Sequence, residues 1–179
     1  MNNLFFIIAQ IVGILASLVS IAAYHKKKKE KILSNMILSN SLNLIHYLLL
    51  GAYSGCITKI LAICRDTFII SKTKNKSLSS NMYLLIFILA YVISGIFTYN
   101  NIWSIFPLIA AIIYIIPVWN GNELTIKYAA FISYFIWLVY NIFVFSISGI
   151  ILNVISIIST SIAIKNNKPR INKLLLKQA

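Results

Sequence analysis

Three charged side chains, Lys59, Arg65 and Asp66, stand within the apolar run of "GAYSGCITKILAICRDTFIISKTK", Gly51 to Lys74, ahead of the terminal Lys72 and Lys74, in a chain that is only 11% charged. A charged group at mid-bilayer costs ~2.5–3.5 kcal/mol on insertion scales, so such residues are expected to face a bundle interior or a cavity. If Gly51–Lys74 is helical, Lys59 lies about 6 Å below the turn before it and Arg65 about 9 Å deeper. Lys59 then has two options, snorkelling back along its helix to the surface or lining a cavity. Arg65 is too deep to snorkel. Neighbours i and i+1 point about 100° apart, so Arg65 and Asp66 are each expected to find a partner on another helix. Lys59 and Asp66, spaced i and i+7 with Ala62 and Ile63 between, define the stripe expected to wall a polar cavity. An ion pair that only stitches helices together is the alternative.

Other polar groups lie at similar depth. His46 follows Asn43 and Ser39 on one helical face, and it reads either as a hydrogen-bonded core residue or as a titrating group suited to proton coupling. Gln10, Asn141 and Asn153 are amides able to link helices at ~0.6–2 kcal/mol each. Trp137, deep in its segment, is expected near a pocket, whereas Trp103 and Trp119 are expected as interfacial anchors. Cys56 and Cys64, about 12 Å apart along one helix, cannot form a mutual disulfide.

There is no P-loop, HExxH or CxxC motif, and the chain holds three acids and two histidines. Glu30 and Glu123 flank basic loops, so no workable carboxylate pair exists. No enzymatic activity, metal or cofactor is expected.

The elements that must position these groups follow from composition. Of 179 residues, 60% are hydrophobic, more than a water-soluble domain of this size could cover with polar surface. The chain is expected to be an all-α integral membrane protein whose first partner is the lipid bilayer. The net charge of +13 sits in short runs between apolar spans, which does not suit nucleic acid. Roughly 20 apolar residues cross a bilayer core. Seven segments qualify: 3–24, 33–51, 55–72, 82–99, 102–119, 126–145 and 147–165. The apolar stretch Phe131–Ile164 is too long for one span, and Ser146–Gly149 is the expected turn within it. The first span, starting at Asn3 without a basic flank or a cleavage site, reads as a retained helix.

Fourteen of the sixteen basic residues fall on one side of these spans: Lys26–Lys29 and Lys31, then Lys72, Lys74 and Lys76, then Lys127, then Lys165, Lys168, Arg170, Lys173 and Lys177. Basic residues mark the cytoplasmic side, so the N-terminus is expected outside and the C-terminus inside. The "HKKKKEK" run reads as a topology anchor touching anionic lipid.

Sliding the chain by 94 positions lays Ser54 on Ser148, Gly55 on Gly149, Ala16 on Ala110, Ser39 on Ser133, Leu44 on Leu138 and Lys74 on Lys168. Spans, turns and terminal lysines agree at that single offset. Two three-helix units in the same orientation, a parallel repeat, commonly bind solute at their interface. The expected organisation is a first triplet over 1–76, a linker helix over 77–100, a second triplet over 101–168 and a basic tail over 169–179. Gly13 falls on Pro107 and is expected to lend flexibility.

"AQIVGILASLVSI" (Ala9–Ile21), "HYLLLGAYSG" (His46–Gly55), Arg65 in "AICRDTF", and "WLVYN" followed by "SISG" (Trp137–Asn141, Ser146–Gly149) resemble the YgjV family of bacterial inner-membrane proteins. That family is distantly similar to the SWEET, SemiSWEET and PQ-loop proteins. The resemblance implies a 3+1+3 bundle, a bacterial inner-membrane location and solute binding between the triplets; it brings no substrate. Asn153 and Trp137 match the asparagine and tryptophan of sugar-carrying relatives. Their repeat partners, Lys59 and Asn43, break that pattern and put sugar in doubt. Pro107 resembles the helix-loosening prolines of those carriers.

The expected function is therefore a carrier of a small polar or anionic solute working by alternating access. Arg65 and Lys59 would attract the solute; His46, Asn43, Asn141 and Asn153 would hydrogen-bond it. Trp137 would pack against it, and Asp66 would position Arg65. A non-transporting receptor, lipid-contacting or assembly factor is the alternative, and a vitamin-precursor carrier is a narrower rival. A homo-oligomer is left open.

Overall fold

The computed structural model describes residues 3–75, 78 and 80–175, with side chains for 4–73, 75, 78 and 80–166. Among the described residues there are seven α-helices and no strand. They are α1 (Asn3–Tyr24), α2 (Lys29–Leu50), α3 (Tyr53–Lys74), α4 (Asn81–Phe97), α5 (Ile105–Asn120), α6 (Glu123–Phe143) and α7 (Ile147–Leu175), with a 3-10 turn over Ile102–Ser104 before α5. Each corresponds to one expected span, although several helices run further into the basic segments than apolarity alone indicates. Lys76 and Lys177 of those segments, and the side chains of Lys74, Lys168, Arg170 and Lys173, lie outside the described residues.

Four helical stretches are long and apolar enough to cross a membrane: Leu4–Tyr24, Ile102–Asn120, Glu123–Phe143 and Ile147–Asn166. α4 is apolar but 17 residues long. α2 and α3 carry too many polar residues to qualify by composition, and the structure turns those inward. Ser39, Asn40 and His46 of α2 and Arg65 and Asp66 of α3 are buried, while Leu38, Ile45, Leu48 and Ile60 face outward. The exposed surfaces of α1, α4, α6 and α7 are rich in Leu, Ile and Phe, an apolar face that belongs against lipid rather than water, whereas α3 exposes Ile60 beside Cys64, Thr67 and Ser71.

Neighbouring helices follow chain order. α1 packs on α2 and α2 on α3; likewise α5 packs on α6 and α6 on α7. The two sets meet where α1 touches α7 and where α3 touches α5, and α4 packs against α3 and α5.

The turns after α2 and α6 repeat each other bond for bond. Gly51 N–H donates to Leu48 O and Ala52 N–H to Tyr47 O; 94 positions on, Phe145 N–H donates to Ile142 O and Ser146 N–H to Asn141 O. This is a Schellman stop, which places its C′ residue in the left-handed region. Gly51 sits at φ 69° and Phe145 at φ 54°. The reversal thus falls at residues 144–146, and Gly149, expected in the turn, lies in the first turn of α7.

A side chain in that region costs about 1–2 kcal/mol, and Phe145 is largely exposed, so its ring gives little packing in return. Phe145→Gly is expected to raise stability by about 1 kcal/mol and Gly51→Ala to lower it by a similar amount. Thermal melts in detergent check both, and equal melting temperatures for all three proteins would sink the account. A further bond repeats at the same offset: Ser39 Oγ donates to Ala16 O at 2.7 Å, and Ser133 Oγ donates to Ala110 O at 3.2 Å.

Two prolines and a glycine correct expectation. Pro107 lies in the first turn of α5, where no backbone donor is needed, so it does not loosen the helix; Pro117 is the interior one. Gly13 serves close approach rather than flexibility, since a Cβ there would meet Ser148 Oγ and the His46 ring.

Candidate functional site

All seven helices contribute to one central polar cavity of about 90 Å³. Its wall is built from α1 (Ser17, Ser20, Tyr24), α2 (Met36, Ser39, Asn40, Asn43, Tyr47), α3 (Thr58, Lys59, Ala62, Arg65), α4 (Tyr91), α5 (Ala110, Ala111, Tyr114), α6 (Ala130, Ser133, Tyr134, Trp137, Asn141) and α7 (Gly149, Asn153).

The α3 contribution follows from helical spacing, with Thr58, Ala62 and Arg65 recurring on one face beside Lys59. Lys59 turns inward rather than snorkelling, and its Nζ sits 3.8 Å from the centroid of the Trp137 ring. Trp137 also stacks on Tyr47 at 5.7 Å between centroids.

Arg65 and Asp66 do not seek separate partners. Arg65 Nη2 lies 2.8 Å from Asp66 Oδ1, and Arg65 Nε donates to the same oxygen at 2.8 Å. The expectation that these neighbours pair poorly with each other failed because it weighed Cα–Cβ directions alone, whereas the long guanidinium arm folds back around the helix; the expected partners on other helices are present as well. Interhelical contacts then complete the group. Asn40 Nδ2 approaches Asp66 Oδ2 at 3.5 Å, Arg65 Nη1 donates to Tyr91 OH at 3.3 Å, and the guanidinium lies 5.0 Å from the Tyr114 ring centroid. Asp66 is fully buried behind the wall, so the face meeting the cavity is Thr58, Lys59, Ala62 and Arg65, not the Lys59–Asp66 stripe with Ile63.

His46 also lies behind the wall. One ring nitrogen meets Ala9 O at 2.7 Å and the other Ser146 Oγ at 2.8 Å, tying α2 to α1 and to the start of α7. Asn43, Trp137, Asn141 and Asn153 join Lys59 and Arg65 on the cavity wall. Asn43 Nδ2 donates to Ser39 O at 3.0 Å. Asn141 Oδ1 accepts from Tyr47 OH at 2.9 Å, a bond between repeat-related residues. The buried Asn153 Nδ2 has no hydrogen-bond partner among the described residues. Gln10 links helices as its type suggests, its Oε1 accepting from Ser148 N–H at 2.8 Å.

Tyrosines bond across the helices on either side of the cavity; of these, only Tyr140, the repeat partner of His46, stands out in the sequence as a polar aromatic. On the side of the α2–α3 turn, Tyr47 bonds Asn141, and Tyr140 OH lies 2.9 Å from Ser54 Oγ and accepts from Gly55 N–H. At the other end, Tyr24 OH donates to Tyr114 OH at 2.9 Å and its ring meets Tyr134 edge-on. The signal was present as tyrosines in mid-span, where a phenol needs a partner.

Trp119 is not an interfacial anchor. It is buried and stacks on Phe68 at 5.8 Å, because α3 and α4 close over the end of α5. Trp103 is half-buried and stacks on Phe143. Beside Trp119, Lys29 Nζ donates to Trp119 O at 3.3 Å and Gly121 O at 3.2 Å, satisfying carbonyls at the α5 C-terminus. Burial, and then the charge of Lys72, hold the Lys29 ammonium below the usual lysine pKa. Cys56 and Cys64 are both free thiols.

The apolar outer face and the buried polar centre define a helical integral membrane protein with an internal polar cavity. Specifically, the chain belongs to the Imp-YgjV family, described as a bacterial inner membrane protein, whose model matches residues 7–168. No curated protein and no solved structure matches the chain.

Proposed function

We propose that this inner-membrane protein carries a small polar or anionic solute by alternating access between α1–α3 and α5–α7, with α4 as the linker. The observation that carries this reading is the composition of the cavity wall. Repeat-related residues line it in pairs: Ser17 and Ala111, Ser20 and Tyr114, Met36 and Ala130, Ser39 and Ser133, Asn40 and Tyr134, Asn43 and Trp137, Tyr47 and Asn141, Lys59 and Asn153. A cavity lined this way sits on the pseudo-symmetry axis of a parallel repeat, where such carriers bind solute.

The matching contacts of α1 with α7 and of α3 with α5 support the same 3+1+3 arrangement. Seven crossings, with the N-terminus outside and the basic segments in the cytoplasm, accord with the inward-turned polar residues of α2 and α3. In this reading Lys59 and Arg65 attract the solute, Asp66 positions Arg65, and Asn43, Asn141 and Asn153 hydrogen-bond it. Trp137 acts by seating Lys59 and His46 by fixing α2 against α1 and α7.

A non-transporting role is favoured by one observation, the mutual satisfaction of Arg65, Asp66 and Asn40 within the fold. Asn153→Ala separates the two. Because Asn153 Nδ2 has no hydrogen-bond partner among the described residues, its removal is expected to leave stability within about 0.5 kcal/mol. Solute uptake into liposomes is expected to fall several-fold. If a broad metabolite panel gives neither uptake nor a thermal shift with well-folded wild-type protein, the carrier reading is wrong.

A further inference from the structure

The cavity has a charge imbalance. Arg65 and Asp66 cancel within one ion pair. Lys59 has no such partner among the described residues. The chain's other carboxylates are elsewhere: Glu30 accepts from Thr73 Oγ1 at 2.9 Å near the start of α2, and Glu123 opens α6. Among the described residues, the wall therefore presents Lys59 as a cation without a carboxylate partner.

Lys59 is held by an aromatic face instead of an acid. The Trp137 ring, 3.8 Å away, attracts the ammonium without receiving a conventional hydrogen bond from it. An ammonium has three donors and no acceptor, so Lys59 keeps donors for an incoming anion. At the repeat-related position, Asn153 supplies a second buried donor without a partner among the described residues. Lys59 on α3 and Asn153 on α7 line the same cavity, so an anion seated on the Lys59 ammonium has an amide donor in the same wall to complete its second oxygen.

We infer that, if the protein is the carrier proposed above, its solute is a small monocarboxylate whose carboxylate is bound by Lys59 and Asn153. Burying a charge without its counterpart costs several kcal/mol, and this ranks the solute classes. A neutral polyol leaves Lys59 uncompensated. A zwitterionic amino acid brings an ammonium that finds no carboxylate, because Asp66 is fully buried and bound by Arg65 and Asn40. A phosphate dianion carries one charge too many. Trp137 is a positioning residue, acting through Lys59.

The test measures binding by thermal shift and uptake of radiolabelled solute into liposomes. Probes are acetate, glycolate and lactate for the monocarboxylates, against glycerol, glycine and inorganic phosphate. Wild-type protein is expected to bind at least one monocarboxylate about tenfold or more tighter than any other class. Lys59→Gln is expected to lose that preference at least tenfold, and Lys59→Arg to keep it within a few-fold. The ranking on wild-type protein needs no variant, so it decides the question even if Lys59→Gln does not fold. If glycerol, glycine or phosphate binds as tightly as the best monocarboxylate and is carried, the charge assignment falls while the carrier reading stands. If no probe or broader panel is carried at all, the carrier reading falls and takes this inference with it.

Discussion

Asp66→Ala is expected to destabilise the protein by about 3–5 kcal/mol, the cost of leaving a buried guanidinium without its counter-ion. Arg65 and Asp66 are both almost wholly buried, so solvent screens little of the loss. Asp66 accepts two bonds from Arg65 and one from Asn40, and the orphaned Asn40 amide adds to the cost. Removing both charges is a different experiment. An Arg65→Met, Asp66→Leu double variant is expected to recover most of the stability, because replacing a buried pair by apolar residues of similar size is often neutral or better. Chemical or thermal unfolding in micelles gives both numbers. A loss below about 1 kcal/mol for Asp66→Ala would mean that the pair is effectively solvated, and the burial of Asp66 behind the cavity wall described above would be wrong.

Gly149→Ala is the second large effect, expected at about 1–3 kcal/mol. A Cβ at Gly149 would meet Ser146 Oγ and come within 2.6 Å of Asn141 Cγ. Neither can retreat easily, because Asn141 accepts from Tyr47 and Ser146 is bonded to His46. The repeat-related Gly55→Ala is expected to cost less. Its Cβ would sit 3.0–3.2 Å from the Tyr47 ring and Tyr140 OH, a contact that shifts of a few tenths of an ångström relieve. The comparison matters because both glycines lie in the first turn of a helix, Gly55 of α3 against Tyr47 and Tyr140 and Gly149 of α7 against Ser146 and Asn141. Thermal melts of the two variants read the difference; a larger loss at Gly55 would show that these two sites are packed otherwise.

Much of this fold is legible in the sequence because lipid leaves few choices. Backbone groups in hydrocarbon must bond within a helix, so apolar stretches of about 20 residues report helices directly, and all seven segments are helical. The repeat was legible through Ser39 and Ser133, whose matching bonds to Ala16 and Ala110 recur in the structure. Four compositionally clear spans stand beside three that composition alone does not secure. In α2 and α3 that is because the buried faces are polar.

The site was legible in its members more than in their relations. Lys59, Arg65, Asn43, Trp137, Asn141 and Asn153 line the cavity, yet their contacts were not readable. Spacing along a helix states which side chains share a face. It does not state how far a guanidinium can fold back, which ring an ammonium will meet, or that Trp119 will be capped by Phe68 and Lys72.

By itself, then, the sequence determined an integral membrane protein of this family, the number of its helices and the spacing of 94 at which Ser39 and Ser133 make matching bonds. Those follow from transfer energies and periodicity, which are local. Tertiary structure alone decided that Arg65 is neutralised by its own neighbour, that Lys59 rests on Trp137, and that Tyr24 bonds Tyr114 and Tyr47 bonds Asn141 beside the cavity. Each depends on the rotation of one helix about its axis relative to another, and that rotation is set by the sum of many side-chain contacts across the bundle, not by the order of residues within a helix.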